Sequence, residues 1–313
     1  MLWLVLVATA KPAAAQVPNL VDVSAQYAPS TRFDDPRATE AQISSYQLGI
    51  NLPLPLSARR FLIVGLAHHV DTAAYARMSD GLMDQRTFHA TAVSATLVQL
   101  LPDRWSLLVR AGGSLASDVP SLDHRMIGYS AVALAAHRWS DRLTLGAGAL
   151  VAAGFGSIRP LPAALVSWAP IDGVRVEAFL PAFVDARYTA WNRLELGVRA
   201  EITGNTYAVR DARVAARWPC AAQPTDDPAT PADETRARSE ACLDHVSYTV
   251  GSVGLVAGVR LASSIWLTAF GGIHVYRRFE EQNQNGDALA GGAHSLPATL
   301  MVRTSVVWRI PRT

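Results

Sequence analysis

Arg193-Leu194-Glu195-Leu196-Gly197-Val198-Arg199-Ala200-Glu201-Ile202-Thr203 alternates without a lapse. Arg193, Glu195, Gly197, Arg199, Glu201 and Thr203 are charged, small or polar, and every residue between them is apolar. A β-strand sends successive side chains to opposite faces, so this segment has one oily face and one heavily charged face. A soluble sandwich alternates too, but its apolar face must meet a second sheet. Here the rhythm recurs along the chain, and the simplest account is an aqueous interior with a lipid-facing exterior.

The composition agrees. Of 313 residues 50% are hydrophobic and only 17% charged, and the mean hydropathy lies slightly above zero. No uncharged apolar run of about 18 residues follows the N-terminus, as a transmembrane helix would require. Diffuse hydrophobicity without a helical span suits a barrel, whose strands need only about 9–11 residues to cross. A formal charge of +2 gives no ground for nucleic-acid binding.

Met1 to Ala10 form a short apolar run, and Pro12-Ala13-Ala14-Ala15-Gln16 offers a small-residue cleavage site. Residues 1–15 therefore read as a secretory signal, and 16–313 as the exported barrel. The one lysine, Lys11, follows the apolar run where a basic residue would ordinarily precede it. Cys220 and Cys242 lie in a Pro- and Asp-rich segment. In an exported chain a disulfide is expected, closing a loop of roughly 20 residues and stabilising it by about 3 kcal/mol.

Short turn phrases punctuate the chain: Pro102-Asp103-Arg104-Trp105, Ser140-Asp141-Arg142-Leu143, Ile171-Asp172-Gly173-Val174 and Trp191-Asn192-Arg193-Leu194. Asp and Asn favour tight turns. With 53–59 and 262–264 they make six short connections. Between them fall longer polar segments at 29–40, 71–85, 117–124, 156–160, 207–245 and 280–294. Short turns alternating with long loops match periplasmic turns and extracellular loops. The runs between them predict an all-β, up-and-down antiparallel barrel of fourteen strands, if the chain reverses at Pro181, or twelve if it does not. Residues 207–245 are its long extracellular loop.

The faces follow from the period. On the final strand Leu296, Ala298, Leu300, Val302, Thr304, Val306, Trp308 and Ile310 are assigned to lipid, with Met301, Arg303, Ser305 and Arg309 inward. Trp105, Trp139, Trp168, Trp191, Trp266 and Trp308 fall near strand ends, as aromatic girdles do. The candidate pore lining is Arg110, Arg175, Glu177, Asp185, Arg187, Arg199, Glu201 and Arg303, with Arg278 as a further candidate. Two readings stand open. These charges pair across neighbouring strands and plug a narrow barrel, or the arginine excess biases an open pore toward anions.

Gly49-Ile50-Asn51-Leu52-Pro53-Leu54-Pro55, Val176-Glu177-Ala178-Phe179-Leu180-Pro181 and Gly271-Gly272-Ile273-His274-Val275-Tyr276-Arg277-Arg278-Phe279-Glu280 carry a resemblance over nearly the whole mature chain. The chain resembles a bacterial outer-membrane β-barrel family classed as a domain of unknown function. The resemblance implies an outer-membrane location and brings no activity and no functional residue. The chain departs from many such barrels in ending Trp308-Arg309-Ile310-Pro311-Arg312-Thr313, without a final aromatic residue.

Catalysis is not expected. No His-x-Ser-x-Gly string occurs, and His294-Ser295 are adjacent, so on a strand they face opposite ways. Gly251-Ser252-Val253-Gly254 lacks the first glycine of a nucleophile elbow and the helix after it. His68 and His69, with Asp71 close by, could hold a metal, but adjacent histidines on a strand diverge, and the two read as solvated loop-base histidines. Asp226, Asp227, Asp233 and Glu234 lack calcium-loop spacing. No metal and no cofactor is expected. The expected partners are the lipid bilayer, the outer-membrane assembly machinery and small solutes. The chain then reads as a small passive pore or solute-uptake channel, or as a non-conducting structural or surface-recognition barrel acting through its extracellular loops.

Overall fold

The computed structural model describes residues 19–31, 38–77, 83–118, 126–154, 157–209, 243–283 and 285–309. The proposed signal segment, Cys220, Cys242 and the acidic residues between them lie outside the described residues.

Period-two patterning becomes strand throughout. The first four strands are β1 Val21–Thr31, β2 Ala38–Ser57, β3 Arg60–Arg77 and β4 Met83–Leu100. There follow β5 Trp105–Ser117, β6 Ile127–Ser140, β7 Leu143–Gly154 and β8 Ser157–Trp168. Next come β9 Val174–Leu180, β10 Phe183–Ala190, β11 Leu194–Ala208 and β12 His245–Arg260. The last are β13 Ile265–Gln282, β14 Ala288–Ser295 and β15 Thr299–Trp308.

Each strand from β1 to β13 pairs antiparallel with the next. β14 pairs with the upper part of β13 and β15 with its lower part, so the two are one stave broken at 296–298. β15 then pairs with β1, from Val21↔Trp308 to Tyr27↔Val302, and closes the sheet. The result is a barrel of fourteen staves with no free edge along the seam, which is how a sheet satisfies its backbone in lipid. The reversal at Pro181 is real: Pro181 and Ala182 join β9 to β10.

One end carries the six short connections and the first and last described residues, Asn19 and Arg309; we call it the turn end. Asp103 and Arg104, like Trp191 and Asn192, adopt consecutive positive φ angles, the conformation of two-residue hairpin turns. The other end, the loop end, holds longer strands than the sequence suggests. β3 continues past Asp71 to Arg77, and β8 begins at Ser157.

The outer wall is an apolar belt. On β2 Leu48, Ile50, Leu52, Leu54 and Leu56 stand in one exposed row, as do Leu196, Val198 and Ile202 on β11 and Leu300, Val302 and Val306 on β15. Trp105, Trp139, Trp168, Trp191 and Trp308 are exposed at the turn end. Trp266 departs from the expectation: it points inward and is buried. Leu296 also departs, being buried because the stave breaks there and the alternation restarts.

The cylinder is not uniform. β9 and β10 have only 7 and 8 residues, so the wall there stops at mid-height. Above it the top of β11 leans across and pairs in parallel with β5 at Ala208↔Ser117. Ile43, Ala73, Phe88, Ala90, Ala116 and Tyr207 then meet in a buried cluster that joins opposite walls. Below that level the interior is polar.

Candidate functional site

The lumen at mid-height is built by rungs of facing residues. Asp185 of β10 stands opposite Glu177 of β9 and Arg199 of β11, and Arg187 lies opposite Arg175. Like charges opposed this way are tolerated because each guanidinium turns along its own strand or diagonally to a carboxylate. Arg187 donates through Nε to Asp185 at 2.6 Å and through Nη1 to Glu195 at 3.1 Å. Arg199 donates through Nε to Glu201 at 2.7 Å and through Nη1 to Asp185 at 3.3 Å. Arg175 pairs with Glu177.

Arg303 reaches from β15 across two intervening staves to Glu201, with contacts of 2.7 and 3.1 Å. The staves it spans present Gly254 and Gly272, directly opposed. A Cβ on either would come within 2.4 Å of a backbone carbonyl oxygen, so only glycine lets the backbones pack this closely.

Three residues outside the sequence-derived candidates complete the cluster. Glu195 accepts Arg187 and also Arg309, at 2.9 Å. Asp22 on β1 feels the charges of Arg303, Arg199 and Arg309. Five arginines (Arg175, Arg187, Arg199, Arg303 and Arg309) thus form ion pairs with four carboxylates (Glu177, Asp185, Glu195 and Glu201), and Asp22 stands near them, bonded to Asn19. Three of these arginines also lie over aromatic rings: Arg199 on Phe183, Arg303 on Phe270 and Arg309 on Trp266, at 5.0, 5.1 and 4.9 Å. A guanidinium held between a carboxylate and a ring is already fully engaged. Ion pairing thus occupies every arginine of this ladder.

Arg110 is different. It projects inward from β5 on the opposite wall, is exposed, and hydrogen-bonds Ser94 at 3.2 Å. The lumenal face around it carries no other charge close by: glycines and a serine (Gly65, Ser94, Gly112, Gly146 and Gly148) alternate with Thr96, Val98, Leu108, Val132 and Leu134, of which Val98 and Leu134 are buried. One side of the lumen is filled with ion pairs and the other is lined by small and apolar residues.

Arg278 does not join the lumen. Val275 is an extra residue between the pairs Ser252↔His274 and Gly251↔Tyr276, a β-bulge that inverts the alternation. Arg278 consequently turns outward to Glu280, and Arg277 points in, 1% exposed. Arg277 donates to Tyr248 Oη at 3.2 Å and Thr31 Oγ1 at 2.7 Å, both neutral.

Asp71 does not sit in a solvated loop base. It is 7% exposed and is the hub of the loop-end closure. Ser45 and the Tyr207 hydroxyl both donate to it, and His69 Nε2 lies 2.8 Å away. The Tyr207 ring stacks on Phe88 with centroids 4.9 Å apart. Strand β11 thereby fastens to β2, β3 and β4 across the axis. His68, the neighbour of His69, faces outward and meets Thr91 at 2.9 Å. Ser252 Oγ lies 2.8 Å from His274 Nδ1, but both side chains are buried and no carboxylate bonds the imidazole among the described residues. Nor do three His, Cys, Asp or Glu side chains converge as metal ligands among them.

A family model described as "Domain of unknown function (DUF6268)" matches residues 11–295. No curated protein matches the chain. Among solved structures, the translocator domain of autotransporter NalP from Neisseria meningitidis is similar at 11% identity, covering 97% of this chain and 93% of that one, with a TM-score of 0.36. The Pseudomonas putida toluene transporter TodX is similar at 9% identity, covering 97% and 92%, with a TM-score of 0.43. A Pseudomonas aeruginosa FadL homologue is similar at 11% identity, covering 93% and 90%, with a TM-score of 0.31.

Proposed function

Since this chain belongs to the DUF6268 family, whose description supplies no activity, we propose from its geometry that it is a bacterial outer-membrane barrel that passes small solutes and is closed along its axis at the loop end. The exposed apolar belt supports a membrane position, because each charge placed there would cost about 2–4 kcal/mol. The turn end would then face the periplasm, and the loop end, from which the 207–245 segment departs, the exterior. The assembly machinery of the outer membrane is a proposed partner, as for any such barrel. No catalytic step is assigned to it.

The observation that carries the solute reading is the one-sided lumen. A barrel filled only for rigidity has no use for an exposed arginine on a glycine-rich, otherwise uncharged wall, whereas a passage for small molecules does. Against a permanently open pore stands the Asp71, Tyr207 and Phe88 closure. That closure is also what a non-conducting, surface-recognition barrel would have, which is the second reading.

Conductance and swelling of proteoliposomes test both. Unaltered protein is expected to show low conductance, and Tyr207→Ala, which removes both the ring stack and the bond to Asp71, a severalfold higher one. A steady, large conductance of the unaltered protein would refute the closure. No current and no solute flux from either form would leave the non-conducting reading in possession.

A further inference from the structure

The step in the wall between β8 and β11 is more than a short hairpin. β8 last pairs with β9 at Ala164↔Leu180, yet it continues upward through 157–163, paired on its other side with β7. β11 last meets the hairpin at Phe183↔Glu201 and through Ile202 N–H to Ala182 O, then runs on to Ala208. Among the described residues, two stretches of strand therefore face each other across a gap, with the β9–β10 tip below and the β5–β11 junction above. At about 3.3 Å per residue the seven unpaired residues of β8 make it about 23 Å tall. Two missing strands at about 4.8 Å spacing leave about 14 Å between the β8 and β11 backbones at its base.

The edge of this gap is chemically finished. The Ala169 N–H bonds Arg142 O, toward β7. Backbone direction alternates along a strand, so even-numbered β8 residues aim their N–H at the open side. Those residues are Ile158, Pro160 and Pro162, and the two prolines have no N–H. Proline on an unpaired edge is how a sheet keeps that edge from recruiting another strand. An edge protected in this way is one that stays open.

The lower lip is apolar on its outer face and mostly so on its inner one. Leu165, Phe179 and Phe183 form one inward rung that meets the ion-pair ladder at Glu201, with Arg199 lying over the Phe183 ring. Ala164, Leu180, Val184 and Ile202 face outward at the same height. Leu161, on the rim, is 43% exposed although it points inward.

We propose that this gap is a lateral portal through which small, uncharged, apolar molecules pass between the lumen and the bilayer, beneath the axial closure. The inference rests on the solute-barrel reading and names its substrate class. An apolar molecule meets hydrocarbon, then the Phe179 and Phe183 rings, then the small and apolar wall near Arg110. A charged one would lose its hydration at a lip whose charged groups, Arg199 and Glu201, are already paired with each other.

Photocrosslinking in phospholipid bilayers tests the portal without relying on transport. With p-benzoylphenylalanine in place of Phe183, a lipid adduct is expected by mass. The same residue in place of Leu134, inward on the closed wall, is expected to give at least tenfold less. Leu161 serves as the second portal position should the Phe183 variant fail to assemble. Equal adducts at the portal and at position 134, or none at either portal position, overturn the proposal. In cells, entry of an uncharged naphthalene-type fluorophore across the outer membrane should fall at least fivefold on Phe183→Lys, and an unchanged rate likewise overturns it. Failure of the solute reading is separately visible, as no flux of ions or sugars even through Tyr207→Ala.

Discussion

Replacing Glu201 by Gln is the sharpest probe of the lumenal ladder. The change is nearly isosteric and removes one charge from a carboxylate whose side chain is 4% accessible. Glu201 accepts three hydrogen bonds, two from Arg303 at 2.7 and 3.1 Å and one from Arg199 at 2.7 Å. Arg199 retains Asp185, but Arg303 keeps only the through-space attraction of Asp22 and the Phe270 ring. Stranding one partner of a buried pair costs about 3–5 kcal/mol. The surviving amide oxygen and the neighbouring lumenal water reduce this, and we expect about 2–3 kcal/mol. Urea unfolding in phospholipid vesicles, followed by tryptophan fluorescence and heat-modified gel migration, measures it. Adding Arg303→Met removes the stranded charge, so the double variant should lie at least about 1 kcal/mol above the sum of the single losses. A single loss below about 0.5 kcal/mol, or simple additivity, would show that the ladder is solvated and contributes nothing to cohesion.

Arg110→Glu should move the reversal potential toward cations while costing less than about 1 kcal/mol, because its one recorded partner is a hydroxyl; equal sensitivity to Arg199→Gln would deny the one-sided lumen. Gly148→Val should prevent assembly in refolding assays, since a Cβ there would stand 1.9 Å from Ala133 O, whereas Gly271→Ala, with nothing within 4 Å, should be neutral or stabilising by about 0.5 kcal/mol. Leu300→Arg, on the outer belt, should cost about 2–4 kcal/mol in vesicles, and a negligible loss would mean that this face does not meet lipid.

Much of this architecture could be read from period two alone, because hydrocarbon outside and water inside act on every strand separately. Glu201 and Arg303 were assignable to the interior from their own neighbours, and so was the turn at Asn192. What escaped depends on more than one strand. The bulge at Val275 exchanges Arg277 for Arg278, and no local pattern marks the extra residue. Leu296 turns inward because a stave breaks, which only its pairing partner reveals. Asp71 looks like a loop residue until Tyr207, 136 positions later, comes to bond it. Glu195 lay in plain view on the charged face, but that it serves Arg187 and Arg309 together only the pairing of distant strands reveals. The β8–β11 gap is likewise a matter of unequal strand lengths, although Pro160 and Pro162 are its local trace.

The seam between β1 and β15, where Leu20 N–H bonds Trp308 O at 2.7 Å, makes the finished sheet a ring. In a ring no stave is first or last, and the order of synthesis leaves no mark on the equilibrium structure. A chain rewired so that Arg309 is joined by a short linker to Asn19, and cut instead at another turn-end connection such as 262–264, has nearly the same set of contacts to form. Only the path by which the wall is laid down would know the difference.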